Sequence, residues 1–277
     1  MPYMKVGQEN SAGIEVYYED HGTGRPVVMI HGYPLDGHSW EKQELALLRG
    51  GYRVITYDRR GFGASGRPSA GYDYDTLAAD LDILLTALDL RNVALVGFSM
   101  GTGEVVRYLA RYGSARVSRA VLIGPLGPFL LKTADNTEGV DEAVFDEMAR
   151  ACADDRPAFM KAFIDDLYNF DLLRGTRISE QARQASWNVA VSASATASVE
   201  CIRTWLTDFR ADLPRINVPT LVIQGSADRV LPPEASGDRL AGLITDMRHV
   251  VVDGAPHGIG WTHPVECNAA LLDFLHR

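Results

Sequence analysis

The chain has 277 residues, is 46% hydrophobic and 23% charged, and carries a net charge of −9 at neutral pH. That length and composition suit a globular protein with one large core and an insertion. The acidic balance, with no long Lys/Arg run, argues against a nucleic-acid partner, and nothing approaches the ~18 consecutive apolar residues of a membrane span. The cysteines, Cys152, Cys201 and Cys267, are odd in number and far apart, without a CxxC. They exclude a disulfide framework and a zinc site of ordinary spacing, and read as buried hydrophobes in a reducing compartment. The N-terminal stretch MPYMKVGQENSAGIEVYYEDHG is polar, with no apolar signal core. A cytoplasmic location is the expectation.

In chain order, IEVYYEDHG alternates and ends in glycine, which predicts an exposed strand or hairpin. RPVVMIHG and YRVITYDRRG are continuous apolar runs bounded by turn residues, the pattern of strands buried on both faces. YDYDTLAADLDILLTALDL carries Leu77, Leu81, Leu84, Leu85 and Leu88 at helical spacing. NVALVG is a strand, TGEVVRYLARYG a helix and VSRAVLIGP a further strand; VPTLVIQG, MRHVVVDG and the helix HPVECNAALLDFLHR follow near the end. Strands alternating with helices predict an α/β fold: a mostly parallel central sheet with helices on both faces. From about Leu126 to about Arg210 the alternation stops, and DEAVFDEMARACADD, PAFMKAFIDDLYNF and SEQARQASWNVAV read as helices. The expected organisation is a core of residues 1–125 and 211–277 with a helical cap, 126–210, inserted into it.

Gly97-Phe98-Ser99-Met100-Gly101 is a G-x-S-x-G between the strand VALVG and a helix. In that context the serine occupies a strained turn that projects its hydroxyl clear of the backbone, a nucleophile elbow. A hydroxyl needs a base to take its proton, and the order for such an elbow is Ser, then acid, then His. Of seven histidines, only His257 lies in a glycine-flanked loop after a late strand. Asp228, in the loop after TLVIQG, is the expected acid; Asp253, still close to its strand, is the competitor. The expected oxyanion donors are the backbone N–H groups of Met100 and of Tyr33 in the early loop HGYPLDGHSW, where Pro34 biases Tyr33 to an extended backbone.

Gly61, Gly63 and Gly66 form a G-x-G-x-x-G, but Arg67-Pro68 follow instead of a helix, so a flexible loop over the sheet edge is expected rather than a dinucleotide site. Tyr33, Phe98, Leu126, Trp187, Trp205 and Ile259 are the expected lining of an apolar substrate pocket, with Trp261 a further candidate and core packing the competing reading for each.

The blocks HGYPLDGHSW, YRVITYDRRGFGASGRP, GFSMGTGEVVRYLARYG and GAPHGIGWTH resemble the α/β-hydrolase family, and within it the cofactor-free bacterial haloperoxidases with related arylesterases and γ-lactamases. The similarity runs from about Met4 to Leu275. It implies Ser99, Asp228 and His257 as catalytic triad, Tyr33 and Met100 as oxyanion donors, and no cofactor or metal. The implied activity is hydrolysis of small carboxylic esters through an acyl-enzyme, with peracid formation from a carboxylic acid and hydrogen peroxide and hence indirect halogenation. Lactam hydrolysis and C–C bond hydrolysis are the alternatives, and a catalytically inactive receptor is the alternative of another class. The resemblance also implies a homo-oligomer, a trimer or higher.

Overall fold

The computed structural model describes residues 2–277; Met1, first residue of the expected core, lies outside the described residues. Eight strands form one sheet among the described residues: β1 (Tyr3–Glu9), β2 (Ala12–His21), β3 (Pro26–Ile30), β4 (Arg53–Tyr57), β5 (Val93–Phe98), β6 (Val117–Ile123), β7 (Thr220–Gly225) and β8 (Met247–Val252). Their spatial order is β1-β2-β4-β3-β5-β6-β7-β8. β1 and β2 are antiparallel, as are β2 and β4; every pairing from β4 through to β8 is parallel. The first strand carries only Val6 as a buried residue, which is why its apolar pattern is too weak to read from sequence. β5 and β7 are buried at every position, as strands covered on both faces must be.

The helices are α1 (Glu41–Arg49), α2 (Tyr74–Ala87), α3 (Met100–Tyr112), α4 (Glu142–Asp154), α5 (Arg156–Tyr168), α6 (Phe170–Leu173), α7 (Glu180–Ser192), α8 (Ala195–Thr204), α9 (Ile259–Thr262) and α10 (Pro264–His276). α2 packs with α3 over one face of the sheet, and α1 with α10 over the other. No helix among the described residues is long and apolar enough to cross a membrane. The chain between β6 and β7 holds α4 to α8; α6 and α8 are additions to the helices read from sequence.

The order reverses at β3, whose neighbours β4 and β5 both follow it in sequence. Loops leaving β3 and β5 therefore depart toward opposite faces and open a crevice at the carboxyl ends of the strands, where open α/β sheets bind ligands. Ile30 pairs with Gly97, so the segments after these two strands begin side by side. Tyr33 follows one and Ser99 the other.

The glycine-rich loop 61–66 packs around Asp58. Buried Asp58 accepts hydrogen bonds from Gly37 N (2.8 Å) and Ala64 N (2.8 Å), and a Cβ on Gly63 would run into its carboxylate. The loop closes on an internal anion rather than on an external phosphate. The three cysteines are buried and free, and burial pushes the Cys201 and Cys267 thiols up to about 12.

Candidate active site

Ser99 sits between β5 and α3 with φ 53° and ψ −122°, in a region that costs a non-glycine residue about 1–3 kcal/mol. The surroundings hold it there. Its N–H donates to the Ile123 carbonyl (2.9 Å), and its carbonyl accepts from Thr102 N (2.8 Å) and Thr102 Oγ1 (2.6 Å). The flanking glycines are required by close approach. A Cβ on Gly97 would lie 2.5 Å from the Gly101 carbonyl oxygen, and one on Gly101 would strike the Ile30 carbonyl oxygen.

The Ser99 hydroxyl lies 2.8 Å from His257 Nε2, and His257 Nδ1 lies 2.7 Å from Asp228 Oδ2. Both side chains of the His–Asp pair are fully buried. His257 follows β8 and Asp228 follows β7, so loops after β5, β7 and β8, all at the carboxyl end of the parallel strands, supply the chain of hydrogen bonds. The Asp228 carboxylate is saturated. Oδ1 accepts from Val230 N (3.0 Å) and Leu231 N (2.8 Å), and Oδ2 accepts from Gln224 Nε2 (3.0 Å) as well as from the imidazole. A carboxylate in that cage can only accept, so the His257 proton sits on Nδ1 and Nε2 faces the hydroxyl as an acceptor. Asp253 lies elsewhere: it is exposed and its carboxylate accepts from Ser226 Oγ (3.2 Å).

Gln224 was not singled out in the sequence reading. The signal was there: it is the one polar residue after the apolar run Leu221–Ile223, on a strand buried throughout. Its amide also donates to the Leu231 carbonyl (3.0 Å), fixing the loop that holds Asp228. A second fastening comes from the helical segment. Asn169, in a left-handed bend (φ 46°) between α5 and α6, donates to the Ala227 carbonyl (2.7 Å), and Gly258 N donates to the Leu167 carbonyl (2.7 Å).

The Gly32–Tyr33 peptide lies against Ser99; a Cβ on Gly32 would be 2.9 Å from the Ser99 Cβ. The Tyr33 N–H donates to no protein group among the described residues, and Met100 N–H is an orphan donor of the first helical turn. Both are free to meet negative charge developing beside Ser99.

Above Ser99 opens a cavity of about 120 Å³. Leu126 and Leu130 form its wall, Phe145, Met148, Phe163 and Trp205 its roof, and Val230 to Pro232 close one side. Of the expected lining, Leu126 and Trp205 are there and four residues are not. Trp187 donates its indole N–H to the Pro157 carbonyl (2.9 Å) and packs between α5 and α7. Ile259 is fully buried at the start of α9. The Tyr33 ring stands edge-on to Phe62, Phe163 and Trp205, with its hydroxyl on the Ser198 carbonyl (2.8 Å). Phe98 packs on the His257 ring at 5.0 Å and, with Trp261, borders a separate cavity of about 30 Å³.

A family model described as alpha/beta hydrolase fold matches residues 25–264. The chain is 62% identical to a putative non-heme chloroperoxidase of Synechocystis sp., over 99% of this chain and 100% of that protein. It is 34% identical to a bifunctional esterase/perhydrolase of Acinetobacter calcoaceticus, over 95% of this chain and 96% of that one. The crystal structure of a bromoperoxidase from Bacillus anthracis superposes with a TM-score of 0.95 at 46% identity, covering 99% of both chains.

Proposed function

The chain belongs to the alpha/beta hydrolase fold family, and on that premise we propose that it is a serine hydrolase of small, neutral carboxylic esters that also forms peracids with hydrogen peroxide. The observation that carries the reading is the unbroken hydrogen-bonded chain Asp228–His257–Ser99 under an apolar cavity. Similarity to an esterase/perhydrolase and to a non-heme chloroperoxidase supports it.

The mechanism follows from the atoms in place. His257 Nε2 takes the Ser99 proton as Oγ attacks the ester carbonyl; the tetrahedral oxyanion is met by the N–H groups of Tyr33 and Met100, and Asp228 stabilises the imidazolium. His257 then gives its proton to the departing alkoxide, leaving an acyl-Ser99. Water, activated by His257, releases the acid. Hydrogen peroxide in its place releases a peracid and restores the serine. Outside the protein, a peracid oxidises bromide to hypobromous acid and is itself reduced to the carboxylic acid. The helical segment 126–210 acts as the cap that roofs the acyl site.

The cavity lining holds no charged side chain among the described residues. An ionised carboxylate entering it would lose hydration with no partner in return, so a free acid must react in its neutral form. A simple carboxyl group titrates near ~4.3. Acid-driven peracid formation is therefore expected to fall on the order of tenfold per pH unit above pH 5, relative to hydrolysis of an aryl ester over the same range. In a bromination assay with peroxide and bromide, activity should require an added carboxylate such as acetate and persist with chelator. Bromination in carboxylate-free buffer, or an acid-driven rate flat from pH 5 to 8, contradicts the proposal.

The same cavity sets selectivity. Met148→Ala removes carbon from the roof and is expected to shift kcat/KM toward longer acyl groups by about tenfold, the scale of one or two methylenes in an apolar pocket. Trp187→Ala, outside the cavity, should leave the ranking of an acyl-chain series unchanged. Equal shifts from both variants would show that the acyl group binds elsewhere.

A further inference from the structure

Beneath the crevice lies an ion pair that the reaction itself does not use. Arg59 Nε donates to Glu104 Oε2 (3.0 Å), with side chains 1% and 0% exposed. The other carboxylate oxygen accepts the Tyr57 hydroxyl. Burying such a pair is costly, and apolar residues of similar volume often serve stability as well or better. Stability is therefore a weak reason for its presence, and what the pair touches is more informative.

Arg59 Nη2 donates to the His31 carbonyl (2.9 Å), and the Arg59 backbone N–H donates to His31 Nε2 (2.9 Å). An amide N–H can only donate, so Nε2 carries no proton and Nδ1 does. That proton goes to the Gly32 carbonyl (2.9 Å), which also accepts from Leu35 N (3.0 Å). Complete burial and the Arg59 charge hold the His31 ring well below the ordinary histidine range, which keeps this neutral tautomer in place.

The Gly32 carbonyl and the Tyr33 N–H belong to one peptide plane and point in opposite directions across it. Two donors on the oxygen therefore aim the N–H, and a flip of the plane would break both bonds. The far end of the strut is Glu104, one helical turn after Met100 on α3. Between the two ends the backbones are in contact, since a Cβ on Gly101 would also lie 2.9 Å from the His31 carbonyl oxygen.

We infer that the Arg59–Glu104 pair, acting through His31, sets the direction and spacing of the two oxyanion donors, Tyr33 N–H and Met100 N–H, so that both residues are positioning residues for acyl transfer. The inference rests on the serine-hydrolase reading above. None of the three residues lines the cavity over Ser99, so substrate binding should be indifferent to them.

The test is the double variant Arg59→Met/Glu104→Leu, assayed for aryl-ester kinetics, thermal melting and labelling by a fluorophosphonate. Expected are a folded protein melting within a few degrees of the parent, KM unchanged within about threefold, and kcat lower by about 10- to 100-fold, the scale of a misaimed rather than absent donor. Labelling of Ser99 should still reach one per chain, more slowly. Arg59→Lys serves if the double variant does not fold. One ammonium cannot span both Glu104 and the His31 carbonyl, and kcat should drop about tenfold at constant KM. A folded variant of either kind with parental kcat overturns the inference while leaving the serine mechanism standing. A parent protein that fails to label at Ser99 removes the serine mechanism, and the inference with it.

Discussion

Ser99→Ala is expected to lower kcat for aryl-ester hydrolysis on the order of a millionfold, the loss measured when the nucleophile of a serine triad is removed in a comparable enzyme. The fold should survive. The substitution deletes one oxygen whose hydrogen-bond partner is His257 Nε2. The backbone bonds that hold residue 99 at positive φ run through its N–H and carbonyl, and alanine keeps both. Thermal melting should shift little, while fluorophosphonate labelling, ester hydrolysis and acetate-dependent bromination should vanish together. A variant that still hydrolyses esters at a tenth of the parental rate would assign the chemistry to another group. Loss of ester hydrolysis with bromination intact would separate two activities that are here referred to one oxygen.

Asp228→Asn should lower kcat by about ten-thousandfold, the cost measured where a triad aspartate was converted to its amide. Four donors converge on the carboxylate: two backbone amides on Oδ1, and Gln224 Nε2 and His257 Nδ1 on Oδ2. An asparagine oxygen can satisfy the two amides, which leaves its NH₂ facing the imidazole. His257 must then present a bare Nδ1 and carry its proton on Nε2, where it can no longer accept from Ser99. KM should change little, because Asp228 is not among the cavity lining. Asp253→Asn, at an exposed carboxylate that meets Ser226, should leave kcat within about twofold, as surface substitutions generally do. Steady-state kinetics on the two variants side by side decide between the carboxylates, and equal losses would show that the acid role is shared or misassigned.

What could be read from the sequence is what local patterning dictates. Gly97, Ser99 and Gly101 sit between an apolar strand and an amphipathic helix, and the tight turn that joins them needs those residues whatever surrounds it. Asp228 and His257 follow recognisable strands in the required order, so the chemistry-bearing side chains fall on neighbouring loops once the sheet is parallel. The cavity lining was another matter. Trp187 and Trp205 are the same residue type, in or at the end of neighbouring helices, yet one meets Pro157 and the other the Tyr33 ring. Helical periodicity reports that a face is buried but not which neighbour buries it. Asp58 makes the same point for the glycine-rich loop that packs on it, since its carboxylate also takes the Gly37 amide, twenty-one residues before Asp58 in sequence.

Asn169 bears on how freely this protein can be remodelled. Its left-handed bend reaches down to the Ala227 carbonyl, one residue before Asp228, and the neighbouring Leu167 carbonyl takes the Gly258 amide, one residue after His257. The roof is thus not a detachable module. Exchanging it wholesale for another helical insertion would change the ligand space and, in the same stroke, unpin the two loops that carry Asp228 and His257. Freedom to diversify lies along α4 and α7, whereas the joint at residues 167–169 belongs functionally to the floor.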